Sequence, residues 1–417
     1  MLAAIINRVK EDTRARSTMS PESSNIDIDD LPDKSLVRRE LYPWNDHEPD
    51  GTSSESLKLL NEQMSSVAPK LEVRATELPV LTSQGGSNGA GTSTVKRLGV
   101  FATNDIQPGE TVLEERSLLT ANSRLHDAFC DACSLALPNV RSAKASPAEV
   151  QAASKMVYCP DCDDTVFCSQ ECLDLASSSY HPAVCSTDVE AVAKDASPAE
   201  AADALYSLLL LRAIAMAETQ DVHPLSLPEV KYIWGDYQDA LVGRLNDGRC
   251  EEIFTNMPRA LPFSFKYSIL LPLHMLEKMD VNIFATSRYD TWVLNTLYAK
   301  FRGTASARQG PDGRPEVGAV HPIWCLANHS CDPNVEWEWG GSIRFWAREE
   351  RVLWKGKKER KTPGLKKGEE VFNHYCDVEL PVKERREWAA GALGGMCMCE
   401  RCVWEDAYER KSVQEEA

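Results

Sequence analysis

The sequence predicts an α+β fold: β-rich segments early and late in the chain, interrupted by a cysteine-rich insertion and a helical segment. Three observations predict it. Strand-like runs broken by Gly-containing turns occupy 95–120 and the region after about 290. Apolar stretches between 190 and 280 carry helix-start signals. Four Cys/His pairs fall between positions 130 and 185, at spacings that suit tetrahedral metal ions.

Each element follows from its residues. Residues 1–94 mix charge, Ser and Pro with weak periodicity and are expected to be mostly disordered, with a short helix over 53–64 and a flexible linker at 83–94 (SQGGSNGAGTST). Strands are expected over 95–120, around a turn at Asp105-Ile106-Gln107-Pro108-Gly109 where Pro presets one backbone angle and Gly frees another. The 25-residue gap between Cys133 and Cys159 contains Ser146-Pro147-Ala148-Glu149, an N-cap, a first-turn Pro and a capping-box Glu. The same four residues recur at Ser197-Pro198-Ala199-Glu200 and are read as opening a longer helix to about Met216. Further helix is expected at 227–246 and 266–279. Later, Val335, Trp337 and Trp339 alternate with glutamates, Gly340-Gly341 turns the chain, and Ile343, Phe345 and Ala347 alternate again, which is a β-hairpin with one apolar face. Residues 351–367 carry eight basic side chains against one Glu, read first as a solvated loop and second as an import or nucleic-acid patch.

Composition narrows the function. The 417 residues allow two or three domains, and 43% hydrophobic residues suffice for a core. Formal charge is 46 − 63 = −17, which opposes direct nucleic-acid binding and favours a basic protein partner such as a histone tail. The segment 126–190 alone has three basic and ten acidic side chains, so a DNA-binding finger fares worst. The longest apolar run, Leu205–Ala217, is too short to span a membrane and is broken by Arg212. The N-terminus MLAAIINRVK offers no extended apolar stretch, so secretion is not expected and the protein is placed in the nucleus or cytoplasm.

Fourteen cysteines in such a chain call for metal rather than disulfides. Cys130-x2-Cys133, Cys159-x2-Cys162, Cys168-x3-Cys172 and His181-x3-Cys185 supply eight ligands, enough for two zinc ions. Cys397-x-Cys399-x2-Cys402 is one ligand short of a third site, and Cys331 is the candidate for the fourth. Cys250 reads as an ordinary buried thiol.

Two later segments carry a resemblance. Asn328-His329-Ser330-Cys331-Asp332-Pro333-Asn334 resembles the signature of SET-domain lysine methyltransferases, and Gly368-Glu369-Glu370-Val371-Phe372-Asn373-His374-Tyr375 resembles the second signature of that family. The late cysteines look like the post-SET zinc motif, and the 130–185 cluster looks like a MYND zinc finger inserted into the SET domain. Together they resemble the SET–MYND family over about 95–405.

The resemblance implies a domain order: SET strands at 95–125, MYND finger at 126–190, helical insertion at 191–290, SET core at 291–396 and post-SET at 397–417. It implies interleaved zinc ligands, with Cys130, Cys133, Cys168 and Cys172 on one ion and Cys159, Cys162, His181 and Cys185 on the other. A third zinc would take Cys331, Cys397, Cys399 and Cys402. S-adenosylmethionine (SAM) would lie against Leu98 and Gly99 and be held by Asn328, His329 and Asn295, with Tyr375 as the catalytic tyrosine. The expected activity is methyl transfer from SAM to a lysine of a protein substrate, histone or other.

Departures also matter. Val95 and Arg97 stand where the family carries a Gly-x-Gly turn, and Gly395 stands where an aromatic side chain would pack on the adenine. Cys325 replaces a small polar residue that is common at that point. The chain ends 15 residues after Cys402, which is read as leaving the substrate groove without a C-terminal helical lobe. These departures support an alternative: an adaptor with a degenerate SET domain, whose zinc finger docks proline-rich peptides.

Overall fold

The computed structural model describes residues 52–79, 94–117, 119–123, 129–138, 146–162, 165–187, 196–197, 200–233, 237–244, 250–258, 270–282, 288–310, 314–357, 359–393 and 396–415. The 83–93 part of the expected linker and the position of Gly395 lie outside the described residues.

Within the N-terminal 94 residues, the structure corrects the expectation only over 68–79, where a strand forms in a stretch expected to be disordered. Helix α1 (Ser54–Val67) forms where a short helix was expected, because Ser53 caps it by accepting the Ser56 N–H at 3.2 Å. It buries Leu60 and Met64 on one face. Strand β1 (Leu71–Pro79) then pairs antiparallel with β2 (Thr94–Ala102), Val73 opposite Val100. Asn61 locks helix to strand: its side chain accepts the Val73 N–H at 2.8 Å and donates to the Val73 carbonyl at 3.0 Å. The alternation Leu71, Val73 on the buried face is only two apolar residues long, which is why the polar composition around it reads as disorder.

The core sheet forms as the late hairpin predicts. Strands β3 (Thr111–Arg116), β12 (Val335–Trp339) and β13 (Ser342–Ala347) order as β12-β13-β3, with Trp339 opposite Ile343 across the Gly-Gly turn. Gly341 sits at φ +94°, a region that costs a side chain strain. Val335, Ile343, Phe345 and Ala347 are buried on one face with Leu113. A second sheet, β4-β10-β9, joins β4 (Leu119–Asn122), β9 (Ser306–Gln309) and β10 (Pro315–Val320).

Among its described residues the cysteine-rich insertion is built of short elements. The capping box at Ser146 and Glu149 starts α2 (Pro147–Ala153) with both reciprocal hydrogen bonds. The knuckle β5 (Val157–Tyr158)–β6 (Val166–Phe167) and helices α3 (Gln170–Ser179) and α4 (His181–Val184) follow. Helix α5 begins later than expected, Ala201–Gln220, since Glu200 and not Ser197 stands at its cap. It is apolar on every side and therefore central, packed against β4, β10, α4 and α8 (Thr291–Thr304). Its buried Leu209, Leu210 and Ile214 each stabilise the fold by roughly 1.5–3 kcal/mol. Its one charge inside the apolar run, Arg212, has a specific use. Arg212 pairs with buried Asp131 at 3.1 Å and lies 3.5 Å from the Tyr180 ring centroid, and Tyr180 donates to the same carboxylate at 2.6 Å. The residue that breaks the hydrophobic run thus docks the cysteine-rich insertion onto the central helix.

The helix expected at 227–246 is not formed. Helix α6 covers only Pro228–Lys231, and β7 (Tyr237–Arg244) pairs antiparallel with β8 (Cys250–Pro258). Tyr237, Val242, Ile253, Phe254 and Thr255 favour strands, and Asn246-Asp247-Gly248 between them is a turn former. This hairpin belongs to a separate compact unit. Within the expected 266–279 helix, α7 (Leu271–Lys278) forms with Pro272 in its first turn, and 266–269 lie outside the described residues.

Arg351, Lys357, Arg360, Lys361 and Lys366 of the basic run at 351–367 make ion pairs within the chain. Buried Arg351 faces Asp332 at 3.8 Å, Lys361 reaches the same carboxylate at 3.1 Å, and Lys357 lies 3.4 Å from Asp332 and 3.5 Å from Glu400. These contacts tie the loop after His329 to α10 (Glu400–Glu415), which packs with α9 (Val382–Leu393). Among the described residues no helix is long and apolar enough to cross a membrane.

Candidate active site and metal centres

Two short strands create the site. β11 (Asn328–His329) pairs in parallel with β14 (Phe372–Asn373), so the two signature segments lie side by side although more than 40 residues separate the two strands in sequence. Asn334 holds the crossing: its side chain accepts the Phe372 N–H at 2.7 Å and donates to the Glu370 carbonyl at 2.7 Å. A wholly buried asparagine satisfied on both sides replaces the ladder bonds such short strands cannot make.

Asn328 faces β2. Its Nδ2 donates to the Leu98 carbonyl at 3.0 Å and to the Glu370 carboxylate at 2.7 Å. Gly99 is required by this approach, since a Cβ there would stand 2.7 Å from Glu370 Oε1 and 3.1 Å from Asn328 Nδ2. Burial pushes the Glu370 carboxyl up, and the Asn328 hydrogen bond only partly offsets it. A desolvated carboxylate with an amide as its partner suits a cationic ligand, and SAM carries both a sulfonium and an ammonium. The residues present therefore fit that group: Leu98, Gly99, Asn328 and Glu370 meet at one point. Asn295 falls on α8, and its side chain lies outside the described residues. Arg97 on β2 is half-buried, with Nη1 donating to the Lys96 carbonyl at 3.3 Å.

Tyr375 follows β14 and is anchored twice. Its hydroxyl donates to the Ala327 carbonyl at 2.8 Å, and its backbone N–H donates to His329 Nδ1 at 3.0 Å. The His329 ring lies 5.2 Å from the Tyr375 ring, and Trp324 lies 6.5 Å away on a tilted plane. Desolvation pushes the Tyr375 phenol well above its ordinary pKa, and the Cys325 thiol adds to the effect, so the hydroxyl keeps its proton near neutrality. Burial pulls His329 down to about 4, which leaves a neutral ring. An amide can only donate, so Nδ1 is the acceptor and the ring proton sits on Nε2, 3.3 Å from Cys331 Sγ.

Below the site, Glu115 on β3 accepts the backbone N–H groups of Ile323 and Trp324 at 3.0 and 2.8 Å, holding the turn that leads to Ala327. Burial pushes its carboxyl up to about 7 against those two bonds. Sequence reading passed over Glu115, Glu370 and the Ala327 carbonyl. Glu370 had a signal, lying inside the quoted Gly-Glu-Glu signature, whereas a backbone acceptor and a glutamate in an ordinary strand have none.

The twelve candidate metal ligands gather into three sets. Cys130, Cys133, Cys168 and Cys172 form one, Cys159, Cys162, His181 and Cys185 a second, and Cys331, Cys397, Cys399 and Cys402 a third, each with ligand atoms within 4.8 Å of one another. At about 2.3 Å from zinc, tetrahedral thiolates stand about 3.8 Å apart. Cys133–Cys168 at 3.8 Å, Cys159–Cys185 at 3.9 Å and Cys402–Cys331 at 3.4 Å fit that edge. Without a cation the thiols resist ionising together: hydrogen bonding with Cys331 and its neighbours drives Cys397 far up, and the Cys130 set does the same to Cys133. Guanidinium groups stand by both all-cysteine sets. Arg116 donates to Cys172 Sγ at 2.7 Å, and Arg385 Nη2 lies 3.7 Å from Cys402 Sγ. Such donors offset the excess negative charge of four thiolates around a divalent ion.

Comparison with known proteins gives the family. The SET domain profile matches residues 97–376, more than half of the chain. Two curated relatives carry the description N-lysine methyltransferase SMYD2: the human protein is 29% identical over 93 residues and the bovine one 28% over 93 residues. Each match covers 22% of this chain and only 18% of the relative's length. The extent of the domain match, together with the pairing of both signature segments at Asn328 and Phe372, places this chain in the SET-domain family.

Proposed function

We propose that this protein is a SAM-dependent protein-lysine N-methyltransferase of the SET–MYND type, with three structural zinc ions. The observation that supports it most is the meeting of Asn328, His329 and Tyr375 at the β11–β14 crossing, with the Tyr375 hydroxyl fixed on the Ala327 carbonyl. SAM supplies an electrophilic methyl on a positively charged sulfur. When bound, it would offer that methyl to the lysine nitrogen's lone pair, with sulfur as the leaving group.

The chain's own residues prepare that displacement. Leu98, Gly99, Asn328 and Glu370 would hold the cofactor, and Glu370 would complement its positive charge. Tyr375 stays protonated, so it orients the incoming amine by hydrogen bonding and does not act as a base. The lysine proton, with an ordinary pKa of about 10.4, is shed as the side chain leaves water for an apolar channel. Trp324 and Trp337, 5.3 Å apart in an edge arrangement beside Tyr375, supply apolar wall. Alignment contributes most of the acceleration.

The acidic chain favours a basic substrate, and histone proteins are the first class to test. Incubation with radiolabelled SAM is expected to label a lysine in histone or another basic protein. Labelling of a non-lysine residue would refute the substrate class. A second reading, a zinc-finger adaptor for proline-rich peptides, draws support from Val95 and Arg97 in place of the family's turn glycines. It is separated by cofactor binding, treated in the Discussion.

A further inference from the structure

Strand β3 stands between the first cysteine set and the support of Tyr375. Successive side chains of a strand leave opposite faces, so Arg116 points one way while Glu115 and Ser117, just past the strand end, point the other. On the Arg116 side lies the Cys130/Cys133/Cys168/Cys172 set. The guanidinium donates to Cys172 Sγ at 2.7 Å and to the Glu171 carboxylate at 2.8 Å. On the other side lies the floor of the site. Glu115 accepts the Ile323 and Trp324 N–H groups, the Ala327 N–H closes the same turn on the Trp324 carbonyl at 3.2 Å, and the Ala327 carbonyl accepts the Tyr375 hydroxyl. Ser117 adds a second hold: its hydroxyl lies 2.7 Å from His321 Nε2 and accepts the Trp339 indole N–H at 2.9 Å. The neighbouring hairpin is fastened to the same cysteine set. A Cβ on Gly341 would stand 3.6 Å from Cys133 Sγ, and Ser342 and Ile343 pair with Arg116 and Glu115.

We propose that Arg116 is a positioning residue for methyl transfer: by holding Cys172 against β3, it fixes the Glu115-bound turn on which the Tyr375 hydroxyl rests. This rests on the methyltransferase reading above. Arg116 acts through the strand, since its guanidinium is spent on Cys172 and Glu171 while Glu115, the adjoining residue, carries the constraint to the turn. A guanidinium suits the task because it is always charged and its rigid fork reaches a sulfur and a carboxylate at once. Cutting the tie leaves β3 free to shift, and the Ala327 carbonyl shifts with it. Small misplacements of this kind cost rate even when they arise far from the reacting atoms.

The test compares full-length, zinc-loaded wild type with Arg116→Leu and Glu171→Gln by hydrogen exchange, SAM calorimetry and radiolabel transfer. In Arg116→Leu, exchange across 321–327 is expected to be about tenfold faster, with exchange in α8 unchanged. Transfer at saturating SAM is expected to fall about tenfold while SAM affinity stays within about twofold. Glu171→Gln leaves the bond to Cys172 in place and is expected to match wild type. Unchanged exchange across 321–327 in Arg116→Leu overturns the proposal, as does an equal change in Glu171→Gln. Faster exchange in α8 as well marks a global loss of stability and overturns the positioning role. A wild type that binds no SAM overturns the methyltransferase reading and the proposal with it, a failure told apart because the others are read in a protein that binds SAM. Should Arg116→Leu not fold, Ser117→Ala tests the link from its other end, because coupling is reciprocal. One zinc ion is then expected to pass to a chromophoric chelator several-fold faster than from wild type, and equal release would overturn the proposal.

Discussion

Replacing Tyr375 by Phe is expected to lower methyl transfer on the order of 10²–10³-fold, the usual cost of deleting one oriented hydrogen-bonding group at a reaction centre. SAM affinity should stay within about twofold. The hydroxyl is bonded to the Ala327 carbonyl, not to the Asn328–Glu370 group assigned to the cofactor. Phe keeps the ring against Trp324 and His329, and the loss of one hydrogen bond costs about 1 kcal/mol of stability. Rate and binding therefore separate. Radiolabel transfer under saturating SAM measures the first and calorimetry the second. Equal transfer by the two proteins would remove Tyr375 from the chemistry.

Removing zinc should have the largest structural effect. Among the described residues of 129–187 the elements are short, and the proposed zinc ions on Cys130/Cys133/Cys168/Cys172 and Cys159/Cys162/His181/Cys185 would order them. Structural zinc contributes an apparent 10–16 kcal/mol at neutral pH in finger peptides, comparable to the entire stability of a domain. A strong chelator is thus expected to abolish hydrogen-exchange protection across the insertion, and added zinc to restore it. The change should spread to α5, because Asp131 would no longer be held against Arg212. Protection that survives complete chelation would show that thiol packing alone orders this segment.

Both effects involve residues that were legible in the sequence for a physical reason. Metal sites and signature turns need particular residue types at fixed spacing, so Cys331 and the Cys397 group could be paired across 66 residues from motif alone, and the structure brings them together. The hairpin at Val335–Ala347 was legible because it has one buried face and a period of two. Strand β1 was not, since its partner β2 supplies most of the ordering and polar Glu72, Arg74 and Glu77 dominate its composition. Tyr237–Arg244 pairs as a strand with Cys250–Pro258 where a helix is expected over 227–246, because Tyr237 and Val242 favour strands and Asn246-Asp247-Gly248 is a turn-forming sequence. Arg212 shows a further limit. In sequence it is a charge that interrupts an apolar run, and only the fold supplies Asp131 and Tyr180 as its reason.

The basic run at 351–367 carries the same lesson in reverse. Its charge reads first as a solvated loop, yet Arg351, Lys357 and Lys361 converge on Asp332, inside the first signature segment. Exposed pairs of this kind contribute little, but Arg351 and Asp332 are both buried, and removing one partner would leave the other uncompensated. The run thus braces the loop between His329 and the third metal set.

Calorimetric titration of SAM into the zinc-loaded protein tests the central claim most directly, because it requires no knowledge of the substrate. One site of micromolar affinity is the predicted result. Folded protein with three zinc ions and no detectable SAM binding would contradict the methyltransferase assignment and leave the adaptor reading in its place.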